Sequence, residues 1–179
     1  MAKTINIDIL STKSIKEAIK EIEKYRDELQ DKCKQIVERL AQIGLSTATP
    51  LINSSELSNY ITIKVKSGNI PNGFKAVLIA SGEVQIATGF APFSTILAIE
   101  FGAGIALNPI PNPKSSELGY GVGTFPNQIH AFDKDGWYYW SESSQQWVHT
   151  LGIKATMPMY YADTEILLRV EQIVKDVFN

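Results

Sequence analysis

Both histidines and all three tryptophans of the chain lie in one segment, HAFDKDGWYYWSESSQQWVHT. His130 and His149 have acidic neighbours in Asp133, Asp135 and Glu142, which an acid–base or metal site would need. The histidines are nineteen residues apart and lack a ligand spacing such as H-E-x-x-H, so structural or exposed histidines are the favoured interpretation. No G-x-S-x-G serine elbow occurs either. We therefore expect no catalytic residue, no metal, no cofactor and no enzymatic activity.

The aromatic part of this segment, WYYWSESSQQWVHT, predicts a β-hairpin over 137–150. Trp137 and Tyr139 would face one side of the hairpin and Trp140 the other. Aromatic strands of this kind bind sugars or choline in modules that are built from repeats, but nothing repeats in this chain. Packing is therefore the favoured role. The alternative is a small ligand-binding module that uses Trp137, Trp140 and Trp147.

A single carboxylate, Glu100, interrupts the apolar run LAIEFGAG. An acidic side chain in such a run must be hydrogen-bonded or must lie at an edge. One carboxylate without a partner is not a general acid–base pair, so a structural role is favoured. The glycine-rich GYGVG lacks the Lys-Ser/Thr ending of a phosphate loop, and it indicates instead a close approach of the backbone to another surface.

The overall composition excludes several classes of protein. The net charge is −2, and only Arg26, Arg39 and Arg169 could offer a bidentate fork to phosphate or guanine, so a dedicated nucleic-acid reader is disfavoured. Cys33 is the single cysteine, which rules out an internal disulfide and a cysteine-based metal cluster. No stretch approaches the about 20 apolar residues of a membrane span, and the first residues lack the apolar run of a secretion signal. We expect a protein that is cytoplasmic where it is made.

A long amphipathic helix is predicted over 14–44, with a capping box at Ser14 and Glu17 and an end at Gly44. Apolar side chains recur along it every seven residues, at Ile15, Ile22, Leu29, Ile36 and Ile43. Its length, about 45 Å, exceeds what a compact domain of this size usually needs. Either the helix lies across a sheet of its own chain, or part of its stripe also packs on a neighbouring subunit.

A small sheet is predicted over 60–101. The alternation in YITIKVKSG indicates a half-buried strand, and FKAVLIA and EVQIA indicate a hairpin joined by Ser81 and Gly82. TILAIEF fits either a strand or a short buried helix. A second helix, over about 158–178, begins near Pro158. The predicted fold is a single α+β domain over 1–179, in which a small twisted antiparallel sheet packs against the long N-terminal helix and the C-terminal helix.

A long loop over 102–136 is inserted into this plan. It lies in a region with few charges and many glycines and prolines, and it shows no periodicity. Low charge argues against a solvated linker, so we expect the loop to pack against another surface and to be dispensable for folding of the core. The candidate interface residues are Ile105, Leu107, Ile110, Leu118, Tyr120, Val122, Phe125, Trp137 and Trp140.

Four pieces of the chain occur in the order seen in a known family. They are AIEFGAGI, ELGYGVGTFPNQIHAFDKDGWYYW, HTLGIKATMPMYYA and the C-terminal amphipathic helix. The chain resembles the tail-component family of long-tailed bacteriophages, which includes tail-completion, neck and head–tail joining proteins. The motif residues are Glu100, Phe101, Gly102, Gly104, Pro158 and Met159. The family motif usually reads E-F-G-T-G, and Ala103 stands here in place of the threonine.

The resemblance implies a structural protein of the virion rather than an enzyme. It implies a ring of identical subunits, expected to be a hexamer, between the head-side connector and the tail tube or tail terminator protein. It also implies that the loop packs on a neighbouring subunit of the ring. DNA would pass through the lumen without being read, and no membrane would be involved. The expected location is the virion neck or tail, with the host cytoplasm during assembly.

Overall fold

The computed structural model describes residues 4–71, 73–84, 92–119, 130–141 and 143–179. The helices are α1 (Thr12–Asn53), α2 (Thr95–Phe101) and α3 (Pro158–Phe178), with a 3-10 turn at Ser58–Tyr60. The strands are β1 (Thr62–Ile70), β2 (Gly73–Ser81), β3 (Glu83–Val84), β4 (Phe93–Ser94), β5 (Trp137–Ser141) and β6 (Gln146–Thr150). A long N-terminal helix, small antiparallel sheets and a C-terminal helix make the α+β fold that the sequence predicts.

The start of α1 differs from the predicted capping box. The cap is Ser11, whose hydroxyl accepts a hydrogen bond from the amide of Ser14 at 3.3 Å, and the helix begins at Thr12. The hydroxyl of Ser14 accepts instead from the amide of Asp8 at 2.9 Å. Either serine suits a cap chemically, so the sequence pattern located the N-terminal start of α1 to within one turn.

The end predicted at Gly44 is wrong, because α1 continues through Gly44 and Pro50 to Asn53. Gly44 is buried, and a Cβ built on it would lie 2.7 Å from Cδ1 of Ile166 in α3. The missing side chain therefore allows α1 and α3 to approach each other closely. A glycine inside a helix usually weakens it, and here the tight helix–helix contact explains its presence.

Among the described residues, the sheets are three separate two-stranded pairs. The described residues do not form the hairpin predicted across Ser81 and Gly82: β2 pairs with β1 along its whole length, from Thr62 opposite Ser81 to Ile70 opposite Gly73. The rest of the predicted second strand, 85–87, lies outside the described residues. Beyond Gly82 the chain starts a second pair, β3 with β4. A Cβ on Gly82 would overlap the carbonyl oxygen of Tyr60, so the glycine permits a close crossing rather than a hairpin turn. TILAIEF is the helix α2, and the predicted sheet region therefore ends at β4.

Helix α3 and the β1–β2 pair cover only part of α1, which packs against α3, β2 and β1. Helix α3 runs antiparallel to α1, with Ile166 beside Gly44 and the ring of Phe178 4.8 Å from Nζ of Lys32. The base of the β1–β2 turn reaches the same level, where the Phe74 ring lies 5.6 Å from Nζ of Lys34. Both coverings end there. Residues 12–29, called the projecting segment below, extend beyond them by about 27 Å at 1.5 Å per residue.

The described part of the predicted loop packs on its own domain, which corrects the expectation that the core lies outside 102–136. Besides the glycines Gly102 and Gly104, the buried residues in it are Ala103, Asn108, Asn112, Ser115 and Ala131. Asn108 and Asn112 hydrogen-bond to backbone atoms on both sides of the loop. Hydrogen-bonded asparagines leave no hydrophobic periodicity, which is why the sequence pattern did not show that this segment belongs to the core.

Candidate functional site

Glu100, the penultimate residue of α2, holds the start of α3. Its Oε2 accepts a hydrogen bond from the amide of Met159 at 2.8 Å, and its Oε1 accepts from the amide of Tyr160 at 2.9 Å. The side-chain amide of Asn112 donates to the same Oε1 at 2.9 Å and to the Glu100 carbonyl at 3.0 Å. We call this arrangement of Glu100, Asn112 and the two amides the Glu100 clasp. It confirms the expectation that a carboxylate in this apolar run must be hydrogen-bonded.

The start of α3 needs an external acceptor. The first amides of a helix have no partner within the helix, and a side chain at the N-cap usually satisfies one of them. The N-cap of α3 is Met157, which has left-handed backbone angles (φ 52°, ψ 47°) and makes no side-chain cap. Glu100 therefore does from another helix what a serine or aspartate would do locally, and its negative charge also suits the positive end of the helix dipole.

Burial raises the pKa of Glu100 above its ordinary value, because desolvation outweighs the hydrogen bonds from Met159, Tyr160 and Asn112 that lower it. The side chain is only 7% exposed. All three donors are amide N–H groups, which do not exchange protons with a carboxylate during catalysis. The geometry is therefore that of a structural capping carboxylate.

The glycines of the E-F-G-A-G motif allow the backbone to approach the segment before α3. Gly102 has φ +80°, and a Cβ on it would overlap the Asn108 side chain. Ala103 and Ile153 exchange two backbone hydrogen bonds of 2.9 Å each. Gly152 has φ +108°, and a Cβ on it would overlap the carbonyl oxygen of Ala103. The contacts of Ala103 with Ile153 and Gly152 are therefore made by its backbone and need no side-chain hydroxyl.

Asn108 uses its side chain to join the glycine motif to the segment before α3. Its Nδ2 donates to the carbonyls of Gly104 at 2.8 Å and Ile153 at 2.9 Å, and its Oδ1 accepts from the amide of Ala155 at 2.7 Å. The residue is 3% exposed, so these bonds replace water completely. Phe101, the neighbouring motif residue, is 3% exposed and packs with Ala98.

The prediction missed Asn108 and Asn112, although the sequence carries a signal for them. Each asparagine precedes a proline, in NPIPNP, within a region that has almost no charge. The residue before a proline is biased towards extended backbone, so each asparagine is held in a defined conformation. A polar amide fixed in an apolar region is a candidate for buried hydrogen bonding.

The predicted aromatic hairpin is confirmed as β5 and β6. Trp140 lies opposite Trp147, with ring centres 5.8 Å apart and planes at 72°, an edge-to-face contact. These two rings are 43% and 66% exposed. Trp137 is half-buried, stacks on His130 at 5.8 Å, and would meet a Cβ on Gly104 at 2.9 Å. Trp137 therefore packs against Gly104 of the glycine motif, whereas Trp140 and Trp147 form an exposed aromatic surface.

The two histidines have separate partners. Nδ1 of His130 lies 2.8 Å from Oδ2 of Asp133, and Nε2 of His149 lies 2.8 Å from the backbone oxygen of Asp135. Glu142, the third acidic neighbour, lies outside the described residues. Across the described ranges, no group of three or more histidine, cysteine or acidic side chains is placed to hold a metal ion. Nor is any helix within those ranges both long and apolar enough to cross a membrane.

The predicted interface residues fall into three groups. Ile110, Leu118 and Trp140 form the first group, which is exposed, as a subunit contact requires. Their exposed fractions are 76%, 58% and 43%. Ile105 and Leu107 are half-buried, like Trp137. Three further predicted residues lie outside the described residues: Tyr120, Val122 and Phe125.

The apolar stripe of the projecting segment is a further exposed apolar feature. Its exposed members are Ile15, Ile19, Ile22, Tyr25 and Leu29, which are 39%, 50%, 54%, 50% and 38% exposed. The seven-residue spacing predicted the stripe. What the sequence could not show is where along α1 the rest of the fold stops covering it.

A groove of about 480 Å³ lies between the end of α1 and the segment before α3. Leu51, Tyr161 and Thr156 are among its lining residues, and none of the three tryptophans lines it. The hydroxyl of Thr156 is buried without a hydrogen-bond partner among the described residues. The groove is therefore separate from the aromatic surface of the alternative ligand-binding hypothesis.

Comparison with known proteins finds no matching family model, no matching curated protein and no matching solved structure. Function is therefore inferred from the geometry of the described residues and from the motifs in the sequence.

Proposed function

We propose that the protein is a structural subunit of the neck of a long-tailed bacteriophage. Identical copies would form a ring that joins the head-side connector to the tail tube, with DNA passing through the lumen. The observation that carries the proposal is the projecting segment, whose large apolar side chains stay exposed in the subunit, although the small Ala18 among them is buried. The motif resemblance supplies the setting in which such a surface would be covered.

The exposure of this stripe is unfavourable for an isolated subunit. Burying apolar surface contributes about 25 cal/mol per Å², and large contiguous apolar patches on soluble proteins usually mark contact sites. Ile19, Ile22 and Tyr25 each keep about half of their side chain in water. Association with another protein surface would remove that exposure, and repetition of one contact around an axis would close a ring.

The motif residues support a structural rather than a catalytic role. Glu100 uses both carboxylate oxygens to hold backbone amides of α3, and Gly102 makes room for the buried Asn108. Asn108 in turn holds Gly104 and Ile153. These residues build one compact junction, which is what a scaffold that is repeated around a ring requires.

Sedimentation of the purified protein, together with negative-stain images, tests the proposal. We expect a concentration-dependent oligomer and ring-shaped particles at micromolar concentration. A folded protein that stays monomeric at about 100 μM, well above the affinities of stable complexes, would contradict it. Titration with sugars and choline should leave the tryptophan fluorescence unchanged. Saturable quenching would favour the ligand-binding alternative on the exposed Trp140 and Trp147.

A further inference from the structure

The uncovered stripe of α1 continues the stripe that α3 covers. Ile36 and Ile43 are half-buried on the part of α1 beside α3, and Ile43 shares a groove with Ile173 of α3. The same seven-residue spacing runs back to Leu29 and Ile22 in the projecting segment, where α3 has ended. A surface of this spacing is matched by another helix. The element expected to cover the stripe of the projecting segment is therefore a helix, as α3 is for the C-terminal part of α1.

Within the projecting segment the apolar residues alternate at intervals of three and four. This is the a and d spacing of a coiled coil, and its members are Ile15, Ala18, Ile22, Tyr25 and Leu29. We call these five residues the seam; Ala18 is buried within the subunit, and the other four are between 38% and 54% exposed. In this register Glu21 and Glu28 occupy g positions, and Arg26 occupies an e position.

The charges beside the seam select the orientation of the partner helix. In a parallel pair, a g residue of one helix lies beside the e residue five positions later in the other helix. Glu21 of one copy would then face Arg26 of its neighbour, an attractive pair. In an antiparallel pair g positions face each other, which would bring Glu21 and Glu28 of two copies together. A second copy of this chain in parallel orientation is therefore the occupant that the charges favour.

We infer that the projecting segments of neighbouring copies pack side by side in parallel through the seam, with Glu21 of one copy paired to Arg26 of the next. The inference rests on the proposed ring only for its cyclic arrangement. Rotation about a single axis keeps equivalent helices parallel when they run along that axis, so a ring with axial projecting segments has the orientation that the seam charges favour. Within the subunit Arg26 contacts the adjacent Asp27 in solvent, and such exposed pairs rearrange readily.

A charge exchange tests the pairing. Glu21→Arg and Arg26→Glu should each weaken association at least tenfold in sedimentation, and the double exchange should restore most of it, since it rebuilds the pair with reversed polarity. Lys20→Glu is the matched control, because it makes the same charge change as Arg26→Glu at a position outside the seam and its flanks. Circular dichroism should show equal helix content in all four variants. Equal weakening by Lys20→Glu, or no recovery in the double exchange, would overturn the pairing.

Cysteine crosslinking tests the orientation separately. In a Cys33→Ser background, Ile15→Cys should form disulfides with Ile15→Cys of another copy, and Leu29→Cys with Leu29→Cys. A mixture of the two variants, distinguished by tags of different size, should give no crosslink between positions 15 and 29. Crosslinks between 15 and 29 would show an antiparallel pair and overturn the inference. Rings that form without any crosslink would overturn the inference and leave the ring proposal standing, whereas a persistent monomer would overturn both.

Discussion

The two ends of α1 carry the same apolar repeat in opposite environments. Towards the C-terminal end, Ala41, Gly44 and Ala48 are buried against the rest of the fold, and Gly44 admits Ile166 of α3 at close range. In the projecting segment, Ile22 and Tyr25 are about half exposed. A periodic pattern therefore shows which face of a helix is buried, but not whether the cover belongs to the same chain.

The Glu100 clasp differs from the projecting segment, whose exposed stripe is apolar. There the buried residues are polar, and the described hydrogen bonds to the carboxylate of Glu100 come from Asn112 and from the first amides of α3. The clasp stabilises the subunit, whereas the projecting segment exposes apolar side chains that the subunit does not use. If the two regions are divided in this way, changes in the clasp should alter folding, and changes in the seam should alter assembly.

The largest expected effect is at Gly152. Gly152→Ala should destabilise the subunit by about 4 kcal/mol, because it combines an unfavourable left-handed backbone with a direct clash at the Ala103 carbonyl. Gly119→Ala is the matched control: Gly119 also has positive φ (+74°), but nothing lies within 4 Å of its Cβ position. Denaturant unfolding should show a loss of only about 1 kcal/mol for the control. Equal losses would mean that the contact between Gly152 and Ala103 is not tight.

Glu100→Gln should destabilise the subunit by about 3 kcal/mol. The glutamine NH₂ group would face an amide N–H that the carboxylate now accepts from, at Met159 or Tyr160, and a buried donor would lose its acceptor. Glu117→Gln, at an exposed glutamate that contacts Lys114, is the control and should change stability little. The denaturation midpoints of both variants decide this. A silent Glu100→Gln would show that Glu100 does not hold α3.

The tryptophans should differ according to their burial. Trp137→Ala should destabilise the subunit by about 2 kcal/mol, because it removes the ring that stacks on His130 and packs beside Gly104. Trp147→Ala removes a ring that is 66% exposed and should cost about 1 kcal/mol, chiefly its cross-strand contact with Trp140. Thermal unfolding of the two variants measures the difference. A larger loss of stability for Trp147→Ala would mean that the hairpin packs on the domain through the face of Trp140 and Trp147 rather than that of Trp137.

The smallest effect is the pH dependence that Glu100 contributes. Its folded-state pKa lies above the ordinary value of 4.5, so the folded protein binds the proton more tightly than the unfolded chain does. The resulting stability is fully present below pH 4.5 and is lost as pH rises through the folded pKa. The stability difference between the native protein and Glu100→Gln should therefore shrink on going from pH 4.5 to pH 8. A difference that grows over this range would show that the pKa is lowered instead.

Local and periodic features were predictable from the sequence. The stripe of α1, the hairpin of β5 and β6, the start of α3 at Pro158 and the need of Glu100 for hydrogen bonds all follow from short patterns. The pairing of β2 with β1 rather than β3 was missed, because Gly82 resembles a hairpin turn and instead permits a close crossing beside Tyr60.

Contacts between distant residues were not predictable from the same patterns. Glu100 meets Met159 and Tyr160 about sixty positions further along the chain, and Asn108 meets Ile153 and Ala155. Such contacts are formed by single polar side chains with backbone atoms, so no repeat in the sequence marks both partners. No sequence pattern predicts how far α3 extends along α1 either. That extent determines which part of the stripe stays exposed, and it emerges only when the two helices are packed.

Hydrogen exchange before and after assembly tests most directly the division between a folding core and an assembly surface. The protein would be compared at a concentration where it is monomeric and at one where it is assembled. We predict that amides of residues 12–29 gain strong protection on assembly, while amides of α2 and the first turns of α3 are protected equally in both states. Full protection of residues 12–29 already in the monomer, or no gain on assembly, would contradict the assignment of the projecting segment as the assembly surface.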